Sequence, residues 1–450
     1  MPVDRTRLGR LHLEEIELFE RLHPRSRELA ESAKVSLVNG VPMPWMVRWP
    51  GSFPVTVAQA EGSRFVDVDG NEYDDFCLGD TGAMTGHSLA VVADAIEVQA
   101  RRGITTMLPS GDAAAVADEL SRRFGLAKWQ MTLSATDANR FVLRLARKLT
   151  GRPKICVMDW CYHGTVDETL AILGADGGVV SRPGAIGPAV DPALTTRVVP
   201  FNDARALEEA LSHGDVACVL MEPALTNIGI VLPEPGYLDE VRRITQRHGV
   251  LLVIDETHTI CAGPGGCTQL WNLDPDFFVI GKPIGGGVPA AAYGMTAEIA
   301  GRLETLLSND DADVSGIGGT LSANALSLAA IRATLFSTLR QEDFDAMIPL
   351  AEAWTDGVRR VYQVAGLGWH VQRLGCRAEY WFCPPPRTGA QAAAAIDHEL
   401  DAFFHLHALN RGILMTPFHN MALFSPMHTM DQVENHTKVF GEAVAALVDG

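Results

Sequence analysis

Between His248 and Gly287 the chain carries two short apolar runs, each ending in a charged residue, and few folds accommodate that arrangement. The first reads Val250-Leu251-Leu252-Val253-Ile254-Asp255-Glu256-Thr257. The second reads Phe277-Phe278-Val279-Ile280-Gly281-Lys282-Pro283-Ile284-Gly285-Gly286-Gly287. Continuous apolar runs of this kind are the pattern of adjacent parallel strands covered on both faces. Open α/β sheets collect ligand-binding groups outside the carboxyl ends of their strands. A carboxylate, Asp255, and an amine, Lys282, are therefore expected at one sheet edge, beside glycines that let backbone approach a ligand.

An Asp-Glu pair after an apolar strand is common, and a lysine among glycines is often a solvated loop residue, so the motif needs support elsewhere. The chemistry that uses both groups is that of pyridoxal phosphate (PLP). That cofactor takes a lysine for its Schiff base and an acid for its pyridine nitrogen.

Other predicted strand ends add to this edge. Trp129–Leu133 reads as a strand, and Ser134-Ala135-Thr136-Asp137-Ala138-Asn139 as the turn into a helix. Phe141, Val142, Leu145 and Leu149 mark that helix, and Gly151 stops it. Free N–H groups at such a turn can hold an anion, while Ser134 or Thr136 can equally cap the helix. Lys154–Met158 is a further strand, followed by Trp160-Cys161-Tyr162-His163-Gly164, where Tyr162 can stack on a flat ring or pack against the sheet. Val216–Met221 delivers Glu222-Pro223, and a helix over Tyr237–Arg247 follows. The alternation predicts a mostly parallel sheet with helices on both faces.

Upstream, an amphipathic helix begins near Leu11, and Val38–Pro50, with its prolines and tryptophans, reads as an extended arm. Trp45 and Arg48 on that arm are candidates for packing or for substrate contact. Phe53–Phe76 reads as a meander whose strands include Val55–Val57 and Arg64–Val68, with a turn at Asp69-Gly70. The loop Gly82–His87 contributes Met84 as a candidate substrate residue and His87 as a structural hydrogen-bonding one. A helix over Leu89–Arg102 follows the loop, and Gly174–Pro192 reads as a long surface loop. Past Thr320 the pattern turns to helices over Ser322–Leu339 and Pro349–Val364, then short strands and helices. The expected division is 1–60 as N-terminal helix and arm, part of the small domain and dimer contact. A large domain over 61–320 and a small α+β domain over 321–450 complete it.

Composition excludes several classes. A formal net charge of −18 with no local basic stripe argues against a nucleic-acid surface. The eight cysteines include no Cys-x-x-Cys pair, and His258 with Cys261 and Cys267 fits no standard metal-ligand spacing. Asp4, Glu14, Glu15 and Glu17 interrupt any secretory signal, and no apolar run approaches the ~20 residues of a membrane span. A cytoplasmic protein without metal, membrane or nucleic-acid partner is expected.

The ordered set Ser134-Ala135-Thr136-Asp137-Ala138, Tyr162-His163-Gly164, Glu222-Pro223, Asp255-Glu256-Thr257, Gly281-Lys282 and Gly319-Thr320 resembles the class III aminotransferases. These are fold-type I PLP enzymes that include glutamate-1-semialdehyde aminomutase and β-amino-acid and fumonisin-type amine transaminases. The resemblance implies a seven-stranded, mostly parallel large-domain sheet sandwiched by helices, with a smaller α+β domain. It implies that Lys282 carries PLP as an internal aldimine and Asp255 pairs with the pyridine nitrogen. Tyr162 and Thr257 would cover the two ring faces; Ser134, Ala135 and Thr136 would form the phosphate turn. His163 and Glu222 would belong to the cofactor site, and Thr320 would reach the phosphate from the partner subunit of a homodimer.

Two departures stand out. Ala135, Thr136 and Asp137 replace the usual Gly, Ser or Thr, and Glu. Thr416-Pro417-Phe418-His419-Asn420-Met421 offers His419 where relatives acting on amino acids often place a carboxylate-binding arginine. The leading expectation is transamination from an amine or amino acid to a keto acid such as pyruvate, or to an aldehyde. The alternatives are an aminomutase of the semialdehyde kind, a racemase, and a non-catalytic binding protein.

Overall fold

The computed structural model describes residues 3–308 and 313–448. They form two compact units, one of Met1–Leu89, Glu342–Pro385 and Ala395–Gly450, the other of Ala90–Gln341 and Pro386–Ala394.

The second unit holds the seven-stranded sheet: β1 Lys128–Thr132, β2 Lys154–Met158, β3 Thr196–Val199, β4 Val216–Met221, β5 Leu251–Asp255, β6 Phe277–Ile280 and β7 Ala291–Met295. The spatial order is β1-β7-β6-β5-β4-β2-β3. The run β6-β5-β4-β2-β3 is parallel, and β7 is antiparallel to both β6 and β1. Every residue of β4, β5 and β6 is buried, which is why these segments read as unbroken apolar runs. The helix Ala135–Thr150 connects β1 to β2 and buries Phe141, Val142 and Leu145. Ser134 caps it by accepting from Asp137 N, and Gly151 ends it at φ 69. Helix Ala325–Ser337 packs on helix Ala90–Ala100, so residues 321–341 stay with this unit.

The first unit joins the meander strands Val57–Glu61, Arg64–Asp67 and Glu72–Asp75 to Ile413–Leu414 from far along the chain. That pairing draws residues 61–89 into this unit, although a boundary at 60 was expected. A three-stranded sheet of His370–Leu374, Arg377–Trp381 and Met421–Leu423 also lies here. Helix Arg5–Leu22 is fixed through Phe19, which packs with Phe65, Tyr73, Leu406 and Leu409. His87 Nε2 meets the buried Asp75 carboxylate at 2.7 Å, a structural bond as expected.

Three local expectations are corrected. The arm Val38–Pro50 is not extended throughout: it makes 3-10 turns at Val38–Gly40 and Pro44–Arg48, the second opened by Pro44, where a missing N–H costs no bond. The stretch Gly174–Pro192 contains a strand, Val179–Ser181, paired with Ala171–Leu173 around a glycine-rich turn. The helix expected to begin at Pro349 starts at Gln341 and runs through that proline, its first turns held by buried Phe344 and Met347. Among the described residues no helix is long and apolar enough to cross a membrane.

Candidate active site

The carboxyl ends of β2, β4, β5 and β6 bring the second unit's polar residues to one edge. Asp255 ends β5 and is 4% exposed. Its Oδ2 accepts from His163 Nδ1 at 2.9 Å and from Asn139 Nδ2 at 2.9 Å; its Oδ1 accepts from the N–H of Thr257 at 3.1 Å. Burial pushes this carboxyl up, but the bonds from His163 and Asn139 outweigh it and hold it down at about 2. His163, with burial working against its charged form, is pushed up by Cys161 and by the same carboxylate. A carboxylate has about four acceptor positions. Three are filled by these bonds and the Thr257 side chain also helps hold the carboxyl low, but no guanidinium closes the set.

The neighbouring Glu256 behaves oppositely. It is fully buried and accepts from Thr259 Oγ1, from Cys267 N at 3.1 Å and from Thr268 Oγ1 at 2.7 Å. Burial dominates over these neutral donors and raises its pKa. The two consecutive acids thus separate into a charged group at the edge and a buried anchor for the connector.

Lys282 follows β6 at φ 39, a left-handed backbone rare outside glycine, with Pro283 behind it. Gly281 brings this corner close to the helix start: a Cβ there would sit 3.0 Å from the Ala135 Cβ. Lys282 Nζ lies 2.8 Å from His258 Nε2. On the β2 side, a Cβ on Gly164, at φ 82, would lie 2.1 Å from Thr136 Oγ1, so the Tyr162-His163-Gly164 corner abuts the same helix start. That oxygen accepts from Thr165 N at 3.2 Å. Because Ser134 caps Asp137, the N–H groups of Ala135 and Thr136 lie outside the helix's own ladder and suit an anion. Tyr162 is exposed at this edge, whereas Glu222, past β4, is buried with Thr226 Oγ1 donating to it. Thr257 is buried beside Asp255, and its side chain contributes to holding that carboxyl low.

Asn139 and His258 were not assigned to the site from sequence. Asn139 stood one helical turn beyond the phosphate turn, where a second orienter for Asp255 has no motif. In sequence His258 stands out only beside Cys261 and Cys267; among the described residues no group of His, Cys, Asp or Glu is arranged for a metal. Thr320 is exposed in the second unit. Trp45, Arg48, Met84 and His419 all belong to the first. Trp45 meets Phe418 edge-on at 6.0 Å, Arg48 is exposed, Met84 is fully buried, and His419 Nδ1 meets the buried Glu379 at 3.2 Å.

The family model for aminotransferase class-III matches residues 46–359. Glutamate-1-semialdehyde 2,1-aminomutase of Sorangium cellulosum is 33% identical over 430 residues, covering 94% of this chain and 97% of its own. A glutamate-1-semialdehyde-aminomutase structure from Pseudomonas aeruginosa PAO1 matches with TM-score 0.97 at 46% identity, covering 99% of this chain and 100% of that one. An omega-transaminase from Sphaerobacter thermophilus matches with TM-score 0.86 at 28% identity, covering 95% and 98%. The chain is thus a member of the class-III aminotransferases, PLP-dependent enzymes of fold type I.

Proposed function

We propose that this chain exchanges an amino and a carbonyl group within one small substrate, an aminomutase reaction, using PLP bound at the β5–β6 edge. The observation that carries the cofactor reading is Asp255, ionised and oriented by His163, Asn139 and the Thr257 N–H with no guanidinium on it, at the strand end beside the one that delivers Lys282. The buried Thr257 hydroxyl and the helix start at Ala135 and Thr136 also suit a polar, anionic cofactor.

When bound, PLP supplies an aldehyde for an amine and an electron-withdrawing ring. Lys282 Nζ would hold that aldehyde and would carry the proton at the reacting carbon. Asp255 keeps the ring nitrogen protonated. Charges ~4 Å apart at an effective dielectric of ~20 attract by about 4 kcal/mol before desolvation, equivalent to roughly three pKa units. His163 and Asn139 fix the carboxylate. The Ala135 and Thr136 N–H groups and the Thr136 hydroxyl take the phosphate, behind the Ser134 cap. Tyr162, Thr257 and Glu222 would contribute to holding the ring. Thr320 serves the site of a second subunit in a cytoplasmic homodimer.

Intramolecular exchange replaces transamination as the leading reading because the full-length similarity runs to aminomutases at 33% and 46% identity. Two-substrate transamination is the second reading, supported by the omega-transaminase similarity at 28% identity and by His419 where an arginine would clamp a carboxylate. The test is to give PLP-loaded enzyme glutamate 1-semialdehyde with no keto acid. The proposal expects the 2,1-amino isomer to accumulate catalytically. Turnover that starts only when an amine and a keto acid are both supplied would replace it with transamination.

A further inference from the structure

The contact between His258 Nε2 and Lys282 Nζ, 2.8 Å, joins residues on different strand ends, and no role given above to Lys282 or Asp255 explains it. Both side chains are half-buried, which leaves the pair a route for protons to solvent. An amine attacks a carbonyl only as its free base. An ordinary lysine, with a pKa about three units above neutrality, is overwhelmingly protonated. An imidazole, with an ordinary value of about 6.5, is the side chain best matched to take and return such a proton near neutral pH.

We propose that His258 is the proton-handling partner of Lys282, a catalytic residue that touches the reacting nitrogen. This rests on the reading above, in which Lys282 bonds the cofactor aldehyde. In the step, the Nζ–H bond breaks with its electron pair remaining on Nζ. The proton bonds to His258 Nε2, and the imidazolium sheds a proton to water. The reverse transfer reprotonates the amine when it is released. No oxidant or further reactant is needed.

The neighbouring elements bring other ionisable groups to this edge. They are Asp255 at the end of β5, Glu256 just after it, Glu222 past β4, His163 past β2, and Cys261 and Cys267 on the connector. Asp255 is engaged by His163 and Asn139, and Glu256 by Thr259, Cys267 and Thr268. Those bonds direct both acids away from a proton-relay role.

The experiment mixes apoenzyme with PLP and follows bond formation at Lys282 by absorbance and by borohydride trapping with peptide mapping, between about pH 5.5 and 9. The wild-type rate should rise through a limb near about pH 6.5. His258→Gln should lose that limb and slow by roughly a hundredfold, while equilibrium PLP affinity changes by less than about tenfold. Added imidazole should restore speed to His258→Ala. A wild-type rate and pH profile in His258→Gln would overturn the proposal. Were that variant to lose its circular dichroism, folded His258→Ala decides: imidazole rescue supports the proposal and no rescue overturns it. Wild-type protein that traps no cofactor at Lys282 would instead overturn the PLP reading itself.

Discussion

Two buried carboxylates, one in each unit, are held by nearly the same donors and end up suited to different tasks. In the first unit Glu15 accepts from His407 Nδ1 at 2.8 Å, from Asn410 Nδ2 at 2.7 Å, and from Arg411 at 2.9 and 3.0 Å. Burial raises its carboxyl, but His407 and Arg411 overcome that and hold it at about 2. All four of its acceptor positions are taken, and a permanent guanidinium closes the set. Asp255 has the histidine and the asparagine but no arginine, and a single backbone N–H on its second oxygen. A saturated carboxylate fastens a helix. One held by weaker donors and no guanidinium can still receive a ligand's N–H.

The comparison is sharpened first at the residue the open carboxylate serves. Lys282→Ala should lower turnover by on the order of 10⁴-fold or more, as loss of a covalent catalytic group does, measured by steady-state product formation with the protein's melting curve unchanged. Asp255→Asn should follow, with a loss of about a hundred- to a thousandfold in kcat. Its melting temperature should fall as well, since His163 loses its counter-charge.

Glu15→Gln should do the reverse. Leaving His407 and Arg411 without their acid costs about 2 kcal/mol of stability, read by urea unfolding, with kcat and PLP affinity unchanged. A loss of kcat in folded Glu15→Gln would break the distinction between the two sites. The pH dependence carries a definite sign. The Glu15 carboxyl is lower in the folded protein than the ordinary value of about 4.3. Its contribution is therefore full above about pH 5 and lost as pH falls from about 4 toward 2. The stability gap between wild type and Glu15→Gln should be flat near neutrality and close in acid.

The smallest effect is expected at Thr257→Val. Removing a buried hydroxyl that helps hold the Asp255 carboxylate low should destabilise the apoenzyme by about 1 kcal/mol or less. PLP affinity should fall only a few-fold.

Sequence exposed what is written in continuous local patterns. The buried runs of β4, β5 and β6 could be nothing but covered strands, and with them came Asp255 and Lys282 at one edge. Ser134 and Gly151 marked both ends of their helix. The tertiary partners were not legible. Asn139 is fully buried and bonds His163 O and Asp255 Oδ2, partners distant in sequence, and His258 meets Lys282 only because β5 and β6 are neighbours. The arm at Val38–Pro50 turned out partly helical because proline forbids interior helix but opens a short turn well. Pro349 misled for the opposite reason, since buried Phe344 and Met347 carry the helix through it. The choice between exchange within one substrate and transfer between two was the least legible, because Lys282 and Asp255 serve both.

The most direct measurement is borohydride reduction of the PLP-loaded protein followed by peptide mass mapping. The account predicts a pyridoxyl adduct on the peptide that contains Lys282 and on no other. An adduct confined to a different lysine, or none under conditions where PLP is present in excess, would contradict it.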